Sequence, residues 1–286
     1  RQFIGMSMLE IAKECLTRKG IDTKGKAKDE IAKLALQGTT DFPYITENVA
    51  NKSLRAGYDA FPQTFRPVAR ELGIAPFKPL SMPLLGGQTA LPKVNESGEV
   101  KYGKLYESKN TVQLLTYAEI IPMTRQLIIN DDKGAFTRVP FLMGSKAATT
   151  ESDIVWGIIT ANAAMFDTIP IFHANHSNLV GTGTALSIAS LGVMRALIRK
   201  QKDIDGKTVI NFTPKYIISG TDLETDMAQI LTAITPALVA SAVPEFIRSM
   251  TPVIEPRLAV VSGESPWFVA ANPGRGDGLV YTSLEG

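Results

Sequence analysis

Between Val112 and Ile121 apolar and small side chains alternate, with Val112, Leu114, Thr116, Ala118 and Ile120 on one face of an extended strand and Leu115, Tyr117 and Ile121 on the other. Both faces carry apolar groups, so both require cover. The period then changes. From Pro140 to Asn162 the apolar positions recur at helical spacing: Met143, Ala147, Ile154, Ile158 and Ala161 lie near one stripe, Val155 and Ile159 broaden it, and Lys146, Glu151 and Asp153 sit largely elsewhere. Pro140 suits a first helical turn, where no amide hydrogen bond is lost, and Asp131 or Asp132 can cap the irregular turn around Lys133 to Arg138. The predicted helix is a rod of roughly 34 Å. Lys146, Glu151 and Asp153 argue against a membrane span there.

Upstream, Gly86 to Asn110 reads as a long, sparsely hydrophobic hairpin. Turn residues punctuate it, and Val100, Tyr102 and Tyr106 stand at even spacing. A two-stranded ribbon is marginal in water because each strand has one partner and little apolar surface to bury. An ordered ribbon of this kind is expected to lie on another molecule.

The remaining pattern is conventional. Ser7-Met8-Leu9-Glu10 forms a capping box that opens a helix ending before Gly20, and a second helix runs from Ala27 to Gln37. Their apolar positions, Leu9, Ala12 and Leu16 with Ile31, Leu34 and Ala35, suit a helical hairpin, and the second helix lacks a basic recognition face for DNA. Downstream, Gly181 to Thr184 reads as a connection before a helix from Ser190 to about Lys202. Tyr216 to Ile218 is a buried strand, Ser219 and Gly220 a turn, and a helix starts near Thr221 or Asp222. Prolines interrupt Thr235 to Pro256, which favours loops and short strands; Arg257 to Val261 and Trp267 to Ala270 read as central strands.

Composition narrows the function classes. The chain has 286 residues, 44% hydrophobic and 20% charged, enough for a sizeable core in one or two domains. A formal charge of +2 offers no strong electrostatic hold on a polyanion, and the densest basic cluster, Lys24, Lys26 and Lys28, reads as a solvated loop. A single cysteine, Cys15, excludes an internal disulfide and is expected to pack in the first helix. The amino terminus shows no secretory leader.

The candidate chemistry is sparse. His173 and His176, the only histidines, stand three apart in PIFHANHSN without the flanking glutamate of a zinc-protease helix or a third ligand, so hydrogen bonds fixing a turn are the expected role. Gly181-Thr182-Gly183-Thr184 lacks both the third glycine of a dinucleotide loop and the lysine of a phosphate loop. No serine has a nucleophile-elbow context, and Cys15 has no recognisable histidine partner. No catalytic, cofactor or metal residue is assigned.

Several phrases carry a resemblance: MTRQLIINDDKGAFTRVP, then DIVWGIITAN, then IFHANHSNL, with GMSMLEIAKECLTRKGID and DFPYITENVANKSL upstream. Together they resemble the major capsid protein of tailed bacteriophages. More narrowly, they are similar to the capsid half of the Mu-like prophage family, in which a prohead protease and a major head subunit are encoded as one fused chain. The resemblance implies an α+β fold with five parts. Residues 1–79 would be an N-terminal arm and helices, 80–122 an extended β-hairpin loop with flanking strands, 123–167 a peripheral domain with a long spine helix, 168–266 an axial domain, and 267–286 a return to the peripheral domain.

It also implies a function: self-assembly into pentamers and hexamers of an icosahedral or prolate head that encloses double-stranded DNA without sequence-specific binding. Lys101, Tyr102, Tyr106, Leu114 and Tyr117 are the expected ribbon contacts with a neighbour, and Arg125 with Asp131 or Asp132 the junction residues. Implied partners are a portal, scaffold or decoration proteins, and a prohead protease acting on the precursor, with assembly in the host bacterial cytoplasm, a place in the virion capsid and no membrane. A start at Arg1 fits release from a larger precursor and equally a trimmed chain, and the end at YTSLEG comes sooner than the family implies. Two other readings remain: an encapsulin-like nanocompartment shell around a cargo enzyme, and a metal-dependent hydrolase using His173 and His176.

Overall fold

A computed structural model describes residues 6–38, 41–75, 77–86, 106–119, 135–165, 167–181, 183–203, 206, 208–232, 244–259, 265–275 and 278–284. It mixes helix and strand, as an α+β chain should. Two compact units divide it: Arg1–Gln63 with Tyr117–Ser152, and Thr64–Thr116 with Asp153–Gly286.

The first unit is helical. Helix α1 (Met8–Arg18) starts at Ser7, whose hydroxyl accepts from the Glu10 amide while the Glu10 carboxylate accepts from the Ser7 amide at 2.8 Å. Helices α2 (Lys28–Gly38) and α3 (Asp41–Ala60) follow. Ile11, Ala12, Cys15 and Leu16 of α1, Ile31, Ala32 and Ala35 of α2 and Phe42 of α3 form one buried cluster, the i, i+3, i+4 faces of a helical hairpin closed by a third helix. Cys15 is a buried packing residue that forms no disulfide.

Helix α4 (Ala135–Thr160) is the longest of the described elements, and its start corrects the sequence reading. Pro140 lies inside the helix, not in its first turn, so the Phe136 carbonyl loses its amide partner. One residue on, the Thr137 carbonyl accepts from Ser53 Oγ of α3 at 2.5 Å. Asp131 and Asp132, the expected caps, lie outside the described residues. The buried stripe also differs from the predicted one. Gly144, Ala148, Ser152, Val155 and Trp156 are buried, whereas Ala147 is exposed and Ile154 and Ile158 are 40% and 41% exposed. Small residues let α3 approach the helix closely, which apolar periodicity does not register. In the polar run from Thr149, the hydroxyls of Thr149, Thr150 and Ser152 donate to the carbonyls four residues earlier, which satisfies them within the helix.

The second unit is organised by a three-stranded sheet in the order β5-β4-β6, with β4 (Pro214–Ser219) parallel to β5 (Thr251–Ile254) and antiparallel to β6 (Trp267–Ala271). Strand β4 is central and covered on both faces. Tyr216 and Ile218 pack with Phe65, Val68, Trp156, Val253 and Leu258, while Ile217 joins Leu191 of α5 (Ile188–Lys200), Met227 of α6 (Glu224–Thr232) and Ile247 of α7 (Glu245–Arg248). A period of two thus feeds two cores. Gly220 ends β4 where a Cβ would stand 2.6 Å from the Leu258 carbonyl oxygen.

Two sequence expectations change here. Arg257 to Val261 is not a central strand: Pro256–Leu258 is a short 3-10 turn, opened by Glu255, whose carboxylate accepts from the Arg257 amide, and 260–264 lie outside the described residues. Strand β6 is an edge of the described sheet, because β4 alone has two partners. Strand β1 (Arg70–Ile74) pairs in parallel with β7 (Val280–Leu284) over five residues, joining positions far apart in sequence.

Candidate assembly surface

Strands β2 (Leu80–Gly86) and β3 (Tyr106–Val112) form an antiparallel pair, and no third described strand joins them. Register runs from Leu80 opposite Val112 to Gly86 opposite Tyr106. The ladder ends at Leu80 opposite Val112, so β3 stops there although its alternating pattern continues. This corrects the expected strand through Ile121. Gln113 to Glu119 has no regular structure, and Ile120 and Ile121 lie outside the described residues. In this segment Leu114 is half-buried, while Leu115 and Tyr117 are 66% and 65% exposed.

Of the expected contact residues, Tyr106 sits at the last ladder position opposite Gly86, and Leu114 and Tyr117 sit in the unpaired continuation. Lys101, Tyr102, Arg125, Asp131 and Asp132 lie outside the described residues. Near the end of the exposed segment Glu119 meets Lys146 of α4 at 3.0 Å, with both side chains largely in solvent. An ion pair of that kind contributes about 0–1 kcal/mol.

Within the second unit lies a polar ring that sequence reading missed. Trp156 Nε1 donates to Thr64 Oγ1 at 3.0 Å, and the Thr64 hydroxyl donates to the Glu255 carboxylate. Glu255, fully buried, also accepts from the Arg257 amide at 3.0 Å and guanidinium at 2.9 Å, and Arg257 Nε reaches Asp153 at 2.5 Å. The chain of bonds begins and ends on α4, three residues apart. Glutamate and arginine two apart beside a proline are the sequence signal; their partners, 104 and 191 residues away, were not legible.

The histidines build a loop. His173 Nδ1 accepts from the Asn175 amide and opens the 3-10 turn Ala174–His176, which Ser177 closes in the left-handed region. His176 lies 2.8 Å from Asp167 and 3.0 Å from the Ile171 carbonyl oxygen. Both rings therefore have local hydrogen-bonding roles. Among the described residues no group of three or more His, Cys, Asp or Glu is placed to hold a metal, and no helix is long and apolar enough to cross a membrane.

No curated protein and no solved structure matches the chain. The family model described as phage capsid protein matches residues 107–286, from the second ribbon strand through α4 and the sheet to the last strand. A match over well more than half of the 286 residues means that the chain belongs to the phage capsid protein family, a structural family whose members build the virion capsid.

Proposed function

We propose that the chain is a major head subunit that assembles with copies of itself into pentamers and hexamers of a closed shell. The observation that carries this reading is the β2–β3 pair, which has no third described strand and runs into a segment displaying Leu115 and Tyr117. A lone two-stranded ribbon with exposed apolar groups is poorly stabilised in water and gains cover on a neighbour. Ile154 and Ile158 of α4 add further apolar surface of the same kind. Each contact can be weak, because in a closed lattice every later contact is effectively intramolecular.

On this reading Lys101, Tyr102, Tyr106, Leu114 and Tyr117 meet the neighbour and Arg125, Asp131 and Asp132 lie at the junction. The ribbon is the extended loop, α4 the spine helix of a peripheral domain, and the β5-β4-β6 sheet the centre of an axial domain. The narrower kinship with Mu-like head subunits adds a prohead protease as the processing enzyme, a portal and scaffold or decoration proteins as further partners, and DNA as passive content. The net charge of +2 supports confinement of DNA over tight binding.

Electron microscopy and sedimentation of the purified chain across a concentration series test the proposal. Rings or closed particles are expected, and Leu115→Asp with Tyr117→Asp should abolish them while leaving the far-ultraviolet circular dichroism unchanged. A double variant that still forms normal particles would remove this surface from assembly. Particles that enclose a copurifying enzyme would point to a compartment in place of a phage head.

A further inference from the structure

We propose that residues 162–178, between α4 and α5, form a pH-operated latch that is closed only when His176 carries a proton on both ring nitrogens. The geometry carries this. Nε2 lies 2.8 Å from Asp167 Oδ2 and Nδ1 lies 3.0 Å from the Ile171 carbonyl oxygen. A carboxylate and a carbonyl are both acceptors, and a neutral imidazole has one N–H to offer. Donating to both at once requires the imidazolium.

The loop around the ring is tightly bonded and conformationally costly. Asn162 imitates a backbone unit toward Phe172, accepting its amide at 2.7 Å and donating to its carbonyl at 3.2 Å. The Ile169 amide donates to the other Asp167 oxygen at 3.0 Å, and Asn178 bridges the His173 amide and the Ile171 carbonyl at 3.0 and 2.6 Å. Three non-glycine residues lie in the left-handed region: Asn162 at φ 46°, Thr168 at φ 65° and Ser177 at φ 53°. Thr168 is β-branched, the type least tolerant of that region, so the bonds must outweigh its preference to leave.

The charged groups around the ring are few. Asp167 is the ionised group it meets among the described residues. His173, on the same turn, has its Nδ1 occupied by the Asn175 amide. On the flanking sheet, β6 presents an apolar ring, Phe268, stacked at 4.9 Å on Phe172 of the loop. The hydrogen bond to Asp167, with that to Ile171, raises the His176 pKa above its ordinary 6.5, and the same pairing with His176 lowers that of Asp167 below its ordinary 3.8.

The signs follow from linkage. Stabilisation through His176 is fully present below about pH 6.5 and is lost as pH rises through the raised value; stabilisation through Asp167 is lost as pH falls through its depressed value. Above the His176 transition one acceptor faces a ring lone pair. The loop can then relax its left-handed residues and withdraw Phe172 from Phe268.

Hydrogen exchange of the full-length chain, followed by mass spectrometry between pH 5 and 9 and corrected for intrinsic exchange, tests the latch. Peptides covering 162–178 should lose severalfold of their protection as pH rises through the His176 transition. Peptides from α6 should not change over that range. Asp167→Asn and His176→Gln should each show low protection with little pH dependence in the same peptides. Flat protection in the wild-type chain would overturn the latch, and so would a variant that keeps the wild-type pH profile; the wild-type profile decides even if a variant fails to fold.

Discussion

Gly57 of α3 lies so close to Phe141 of α4 that a Cβ built on the glycine would stand 1.9 Å from the Phe141 carbonyl oxygen. The relationship is reciprocal: a Cβ on Gly144 would stand 1.9 Å from the Leu54 carbonyl oxygen. Each glycine sits three residues from the carbonyl the other approaches, so the two helices touch backbone to backbone at this crossing.

Alanine at Gly57 or Gly144 should therefore destabilise the first unit. Helix propensity favours alanine over glycine by about 1 kcal/mol, but overpacking against a rigid backbone typically costs roughly 1–3 kcal/mol or more and should win. Denaturant unfolding of Gly57→Ala and Gly144→Ala should show lower midpoints. The double variant should lose less than the sum, since either change separates the same helices. An alanine variant more stable than wild type would mean that the helices do not approach this closely.

The ring from Trp156 through Thr64, Glu255 and Arg257 to Asp153 makes a second prediction. Glu255 is wholly buried, so removing a partner strands a charge instead of exposing it to water. Arg257→Ala should cost on the order of 3–5 kcal/mol, and Thr64→Val, which deprives both the indole and the carboxylate, about 1–3 kcal/mol. Replacing Glu255 and Arg257 together should cost clearly less than the two single losses combined in equilibrium unfolding. Strict additivity would show the pair to be uncoupled.

Part of the acid sensitivity should come from the β1–β7 ladder. Glu71 accepts from Ser283 Oγ at 2.7 Å and Tyr281 Oη at 2.9 Å, and the Tyr281 ring meets Phe65 edge-on at 5.2 Å. The Ser283 bond, then the Tyr281 bond, holds the Glu71 carboxyl below its ordinary 4.5. Its stabilisation is present above about pH 4.5 and is lost as pH falls through the depressed value. Thermal unfolding between pH 3 and 6 should show Glu71→Gln less stable than wild type at pH 6, with the difference shrinking toward pH 3. An unchanged difference across that range would separate Glu71 from the acid response.

Local signals were legible where one stretch of chain contains both the signal and its answer. The Ser7–Glu10 capping box and the buried strand around Ile217 belong to this class, and so does the turn made by the two histidines; of the hairpin expected over Gly86 to Asn110, residues 87–105 lie outside the described residues. Each rests on neighbours within a few residues or on a simple period. The misplaced elements depended on a distant partner. Strand β3 ends where its partner β2 begins, at Leu80, and the Glu255 that opens the turn at Arg257 accepts from Thr64, which in turn accepts from Trp156.

The sequence by itself determined that the chain has α+β character, that a sparsely hydrophobic ribbon runs toward a long helix, and that its phrases resemble phage capsid proteins; periodicity and local capping are properties of neighbouring residues. Tertiary structure alone decided which stripe of α4 is buried, because Gly144, Ala148 and Trp156 are selected by what packs against them and not by their own hydrophobicity. It also decided the partners of His176, Glu71 and Glu255. Asp167 stands nine residues from His176, Ser283 212 from Glu71, and Thr64 191 from Glu255, and at such separations only the folded backbone brings donor and acceptor within hydrogen-bonding reach.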